Sequence, residues 1–185
     1  MAARVRYNGP SFEGSFDGSL DGRVLVFVPG ARTASTLMWF DRKGQPLGRV
    51  GPDQNYRNLA VFPDGRTAAV ELADTQYGTR DLWLMDLKTN ALTRLTTNPA
   101  TRLAAGFVPG RKTIAFASDR SGASTAFKVA ANGTGGESVV YRNPDGGGAF
   151  VGGWSRNGDL LVALDNTRSM GKLLLVPAGG GYDHR

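Results

Sequence analysis

The chain has 185 residues, with 22 Lys and Arg against 16 Asp and Glu and a formal net charge of +6. It contains 26 Gly, 9 Pro and no Cys, which excludes thiolate nucleophiles, disulfides and Cys-ligated metals and argues against a helical protein. No window of about 18 apolar residues occurs, so this chain does not insert into a membrane as a helix, and the basic residues stand singly beside turns rather than in runs with interleaved aromatics, a solvated surface rather than a nucleic-acid footprint.

The opening "MAARVRYNGP" has no apolar h-region and does not read as a signal peptide. Residues 1–10 are expected to be a tail. The first structured unit spans about 11–50. It contains "GSLDGRVLVFV" (18–28), a turn and an apolar run, and "TLMWFDRKG" (36–44). The second unit, 57–96, is the clearest. Strands are expected near 57–61, 67–72, 81–86 and 92–95, because each is a short β-rich apolar run bounded by Gly, Pro, Asn or Asp. Pro63-Asp64-Gly65 between the first two fits a tight turn: Pro fixes φ and Gly is free to take positive φ. The third unit (102–141) carries "GFVPGRKTIAFA" (106–117) and "TAFKVAANG" (125–133). The fourth (147–178) carries "GGWSRNGDLLVA" (152–163) and "KLLLVPAGG" (172–180), and residues 179–185 form a second tail.

These units are one repeat. Gly22, Gly65, Arg111 and Gly158 occupy one landmark, at steps of 43, 46 and 47 residues. Phe40, Met85, Val129 and Val176 occupy a second, at steps of 45, 44 and 47. Two independent landmarks with one period, and about four short strands in each ~45 residues, are the arithmetic of a β-propeller blade. The expected fold is all-β: about four four-stranded antiparallel blades in a single propeller region spanning 1–185. A blade needs a neighbour on each face, and Phe27, Trp39, Trp83, Phe107, Phe116, Phe127 and Trp154 are expected to fill those interfaces.

Phe62-Pro63-Asp64-Gly65-Arg66, Asp81-Leu82-Trp83-Leu84-Met85-Asp86 and Arg94-Leu95-Thr96 carry a further pattern in the second unit. Ile114-Ala115-Phe116 and Ser118-Asp119-Arg120-Ser121-Gly122 carry it in the third. Together they resemble the WD40-like β-propeller repeats of TolB-type proteins, over about residues 11–178. The first unit is similar to the opening blade of propellers that follow bacterial serine/threonine kinase domains. The resemblance implies a binding scaffold, on the extracytoplasmic or periplasmic side. It speaks for the fold more than for the function, because this repeat serves many proteins. Three departures stand out: Gly110-Arg111 replaces Asp-Gly in the third unit, Arg156-Asn157 replaces Pro-Asp in the fourth, and the fourth has no fourth strand. Propellers of this kind are usually larger rings. Three arrangements follow: a fragment of a longer protein, an arc completed by another chain, or a small ring closed by "RVRY" (4–7) as the missing outer strand. The first is expected, with self-association through the open blade ends of the isolated chain.

Little in the sequence points to catalytic chemistry. The one histidine is His184. "GWSRN" (153–157) lacks the second Gly of a nucleophile elbow and falls on the repeat's turn position. "DGSLDG" (17–22) and "NPDGGG" (143–148) lack the D-x-[DN]-x-[DN]-G spacing of calcium loops. No G-x-x-x-x-G-K-[ST], H-R-D or D-F-G is present. No catalytic residue, cofactor or metal site is expected, and the protein is read as no enzyme. The expected function is a non-catalytic scaffold for a protein or peptide, as the sensor or interaction part of a kinase-linked protein. The alternative is a propeller that supports or gates a prolyl-oligopeptidase-like hydrolase domain. Inner strands starting near Arg57, Arg102 and Ala149 would line a central channel. Arg57, Asn58 and Arg102 are therefore the candidate binding residues at its mouth, suited to carboxylates or backbone carbonyls.

Overall fold

The computed structural model describes residues 16–18, 21–29, 34–74, 79–97, 102–107, 112–155, 157–166 and 169–177. Every regular element among them is a β-strand. The first sheet holds β1 (Phe16–Gly18), β2 (Val24–Pro29), β3 (Ser35–Phe40) and β4 (Pro46–Gln54). The second holds β5 (Tyr56–Val61), β6 (Thr67–Ala73), β7 (Arg80–Asp86) and β8 (Leu92–Arg94). The third holds β9 (Arg102–Phe107), β10 (Thr113–Ser118), β11 (Thr125–Ala130) and β12 (Ser138–Tyr141). The fourth holds β13 (Gly148–Trp154), β14 (Leu160–Asn166) and β15 (Ser169–Val176). Strands within each sheet are antiparallel neighbours in chain order.

Local chemistry sets the turns. At Pro63-Asp64-Gly65, Asp64 Oδ1 accepts the Arg66 N–H at 2.9 Å, and Gly65 takes φ +66°. An Ala there would meet the left-handed penalty of about 1–2 kcal/mol. At the β7–β8 turn, Asp86 Oδ1 accepts the N–H groups of Lys88 and Thr89, each at 2.8 Å. The bonds from Thr89 and then Lys88 hold the Asp86 carboxyl below its usual range. One unit earlier, Asp41 Oδ1 accepts the N–H groups of Lys43 and Gln45 in the same way.

Three cores lie between successive sheets. Leu25, Leu37, Tyr56, Leu59, Val70 and Met85 fill the first. Phe62, Leu82, Phe107, Ile114, Phe116 and Phe127 fill the second. Tyr141, Ala149, Val151, Leu160, Val162 and Val176 fill the third. A buried side chain of this size contributes about 1.5–3 kcal/mol. Middle strands are covered on both faces. On β6, Val70 packs toward the first sheet and Ala69 toward the third. That is why Ala68-Ala69-Val70 reads as a continuous apolar run rather than an alternation. Trp39 and Trp83 pack half-buried on the first core and Trp154 on the third. The side chain of Phe27 lies outside the described residues.

The first strands of the sheets follow one another: β1 adjoins β5, β5 adjoins β9, and β9 adjoins β13. They form the inner edge of an arc of radiating sheets. This is a partial β-propeller. The segment "RVRY" lies outside the described residues.

Candidate functional site

The inner edge is where repeat architecture gathers side chains from different sheets. On β5, Tyr56 pairs with Leu72 and Asn58 with Glu71, so Arg57 is the extra residue of a β-bulge. A bulge breaks the alternation of side chains and re-aims the residue it inserts. Arg57 is half-buried there. Asn58 is also half-buried, and its Oδ1 accepts the Leu59 N–H at 2.9 Å. Its NH2 is the group it can offer a ligand. Arg102 is the first residue of β9, opposite Ser118. The Arg102 side chain is not among those described. Arg57 and Arg102 thus stand at the starts of two adjoining inner strands.

The same end of the sheets carries the buried polar residues. Ser35 opens β3, Glu71 lies late in β6 and Thr96 follows β8. Ser118 closes β10, Thr125 opens β11 and Asn143 follows β12. These are all the buried polar side chains among the described residues. Glu71 is 2 % exposed and pairs with Arg80 Nη1 at 3.1 Å. A buried carboxylate is costly without such a partner. Thr96 and Ser118 stand in the repeat motifs named above, whereas Glu71 does not. A glutamate inside the apolar run of β6 was the available signal.

Several family-motif residues prove to be structural. Asp81, Arg94 and Thr96 form one cluster. Thr96 donates to Asp81 Oδ1 at 3.1 Å and accepts the Leu82 N–H at 3.0 Å. The Arg94 guanidinium pairs with Asp81, and its Nε donates to the Thr96 carbonyl at 3.0 Å. In the first sheet Thr36 stands at the Asp81 position of the repeat, and Asp53 on β4 supplies the carboxylate. Thr36 donates to Asp53 at 2.7 Å, and Arg49 pairs with the same carboxylate. The bonds from Arg49 and Thr36 hold Asp53 below the usual carboxylate range. In the third sheet Arg120 pairs with Glu137 and stacks 3.7 Å over the Phe127 ring.

Ser155, the serine of "GWSRN", donates to Asp159 Oδ2 at 3.1 Å and accepts the Asp159 N–H at 3.1 Å. It fastens the β13–β14 turn. His184 lies outside the described residues. Among the described residues, no three His, Cys, Asp or Glu side chains gather as a metal site. Nor does any helix there have the length and apolarity to cross a membrane.

No protein-family model and no curated protein matches the sequence. Solved structures do match the fold. TolB from Acinetobacter baumannii superposes with a TM-score of 0.71 at 18% identity, covering 91% of this chain and 41% of that one. A structure from a study of two prolyl endopeptidases gives 0.62 at 16% identity, over 85% of this chain and 27% of that one. A structure of the nidogen/laminin complex gives 0.62 at 10% identity, over 88% and 64%. The chain therefore spans less than two thirds of each of these proteins. Such identities speak for the propeller fold alone.

Proposed function

We propose that this protein is a non-catalytic propeller scaffold that binds a protein or peptide segment where β5 and β9 begin. The observation that carries the reading is the Arg57 bulge. It turns a guanidinium out of the strand alternation at the inner edge, beside the Asn58 carboxamide. Arg102 opens the adjoining inner strand. Two guanidinium groups and an amide NH2 suit a carboxylate or a row of backbone carbonyls, with charge-assisted hydrogen bonds roughly twice as strong as neutral ones. The neighbour crystallised as a nidogen/laminin complex supports protein binding by such a fold.

The blades are read as 11–50, 57–96, 102–141 and 147–178. The resemblance of the first unit to propellers that follow kinase domains supports a place as the interaction part of a kinase-linked protein. The engagement of Ser155 with Asp159 supports the absence of hydrolase chemistry. A second reading rests on the likeness to a prolyl endopeptidase structure: a propeller that supports or gates a separate hydrolase domain.

The test is binding to an array of peptides that differ in their terminal and side-chain carboxylates. Charge reversal at Arg57 and Arg102 should weaken the carboxylate peptides that bind at the inner edge, by about tenfold or more if a buried charge pair is lost. Unchanged affinity in the Arg57→Glu and Arg102→Glu variants rules the inner-edge site out. A hydrolase domain encoded in the same reading frame favours the second reading over the first.

A further inference from the structure

Between the third and fourth sheets lies a crevice of about 300 Å³. Thr113, Lys128, Ser138 and Val140 line one wall, Trp154 and Val176 the other. Among the described residues Lys128 is the only charged one on it. It follows Ala126 by two on β11, and Ala126 packs into the core shared with the fourth sheet. Lys128 therefore points the same way. Leu174 and Val176 of β15 pack into that core too, and Lys172 shares their face. Both lysines are exposed, and neither forms an ion pair among the described residues. Among the described residues the buried Trp154 indole N–H has no hydrogen-bond partner, a state that costs about 1–3 kcal/mol. Its ring packs beside β9, with Cδ1 3.6 Å and Nε1 3.7 Å from where a Gly106 Cβ would stand, so the indole nitrogen sits against the inner strand while the ring forms part of the crevice wall.

The strands bordering the crevice also expose apolar side chains. Val139 on β12 is 49% exposed, and Leu173 and Leu175 on β15 are 73% and 53% exposed. Among the described residues β15 pairs only with β14. Its outer backbone edge is a template for another strand.

We propose that this edge and crevice receive an extended acidic segment of a partner protein. The segment pairs its backbone with β15. Alternate side chains then face opposite ways. Apolar ones on one face cover Leu173 and Leu175. On the other face an apolar anchor enters the crevice, and flanking carboxylates meet Lys128 and Lys172. Charge selects this occupant. A second copy paired through β15 brings a second Lys172 to the same seam, and the chain's own 4–7 segment brings Arg4 and Arg6. This site lies apart from Arg57, and its failure leaves the inner-edge reading untouched.

The probe is acetyl-Val-Glu-Val-Leu-Val-Glu amide, N-methylated along one edge so that it cannot pair with itself. Its control carries Lys for both Glu. The glutamate peptide should slow hydrogen exchange at the β15 amides and shift the Trp154 indole N–H signal. Those of Trp39 and Trp83 should stay in place. Lys128→Glu with Lys172→Glu should weaken that peptide by about tenfold and give preference to the lysine control, as for two rim charges reversed together. Arg57→Glu should leave it unchanged. Equal binding of both peptides to the unaltered protein overturns the proposal. So does faster β15 exchange after deletion of residues 1–8, which would make the chain's own segment the occupant. Protection of β15 that rises with protein concentration alone would assign the edge to a second copy, and overturns it as well.

Discussion

Thr96 and Asp81 tie β7 to the chain beyond β8 through a 3.1 Å hydrogen bond in which Thr96 is the donor. Thr96 is 1% exposed and also accepts the Leu82 N–H. With Arg94 on the same carboxylate, the two residues fix how the outermost strand of the second sheet closes. The Asp81-Leu82-Trp83-Leu84-Met85-Asp86 and Arg94-Leu95-Thr96 motifs of the second unit thus have a mechanical reading here. The first sheet reaches the same result with Thr36 and Asp53, the hydroxyl and carboxylate having exchanged strands.

Thr96→Val keeps the shape of the side chain and removes both bonds. It leaves the Leu82 N–H buried and unpaired, which should cost about 1–3 kcal/mol. Thermal or urea unfolding measures this. A loss below about half a kcal/mol, the range of ordinary surface changes, would show that the cluster is decoration. In a double-mutant cycle Thr96→Val and Asp81→Asn should be non-additive, because they share one network.

Gly51 and Gly44 separate backbone strain from steric clash. Both have positive φ, +67° and +79°. An added Cβ at Gly44 meets nothing within 4 Å, whereas at Gly51 it lies 2.8 Å from Met85 Cε and 3.4 Å from Tyr56 Oη. Gly44→Ala should cost about 1–2 kcal/mol from the left-handed backbone alone. Gly51→Ala should cost about 1–3 kcal/mol more, because fully buried Met85 has little room to move. Equal losses in urea unfolding would sink this account.

Tyr56 predicts an alkaline limb in the stability profile. Burial, and secondarily the charge of Asp53, pushes its phenol from 10.0 to about 12. Its hydroxyl donates to the Pro52 carbonyl at 2.8 Å. The folded pKa is the higher one, so neutral Tyr56 contributes stability fully below pH 10 and loses it as pH rises toward 12. Absorbance titration near 295 nm should include a late step from Tyr56. Tyr56→Phe should abolish that late step. If it removes an ordinary one instead, burial of this phenol has been misjudged.

Ser155 should behave as a turn residue and not as a nucleophile. Ser155→Ala removes two hydrogen bonds of the β13–β14 turn, a loss of about 0.5–1.5 kcal/mol for each net bond. A fluorophosphonate probe should leave the protein unlabelled. Stoichiometric labelling at Ser155 would contradict the non-catalytic reading.

The sequence alone determined the repeat, the strands and the turns. Expected strands at 57–61, 67–72, 81–86 and 92–95 correspond to Tyr56–Val61, Thr67–Ala73, Arg80–Asp86 and Leu92–Arg94. These features are local or periodic. A Gly that must take positive φ, an Asp that accepts the next N–H groups and a run of β-branched or apolar residues each act within a few positions. Repetition at one period then tells the same story four times. Tertiary structure alone decided what the residues do once the strands pair. The Arg57 bulge depends on how β5 registers against β6. The Glu71–Arg80 pair joins residues brought together by that sheet. The exchange of Thr and Asp between the first and second sheets shows in space and not in the motif. The crevice beside Trp154 exists because two sheets meet there without filling the gap. Register and inter-sheet contact are set by partners far along the chain, and no local rule carries that information.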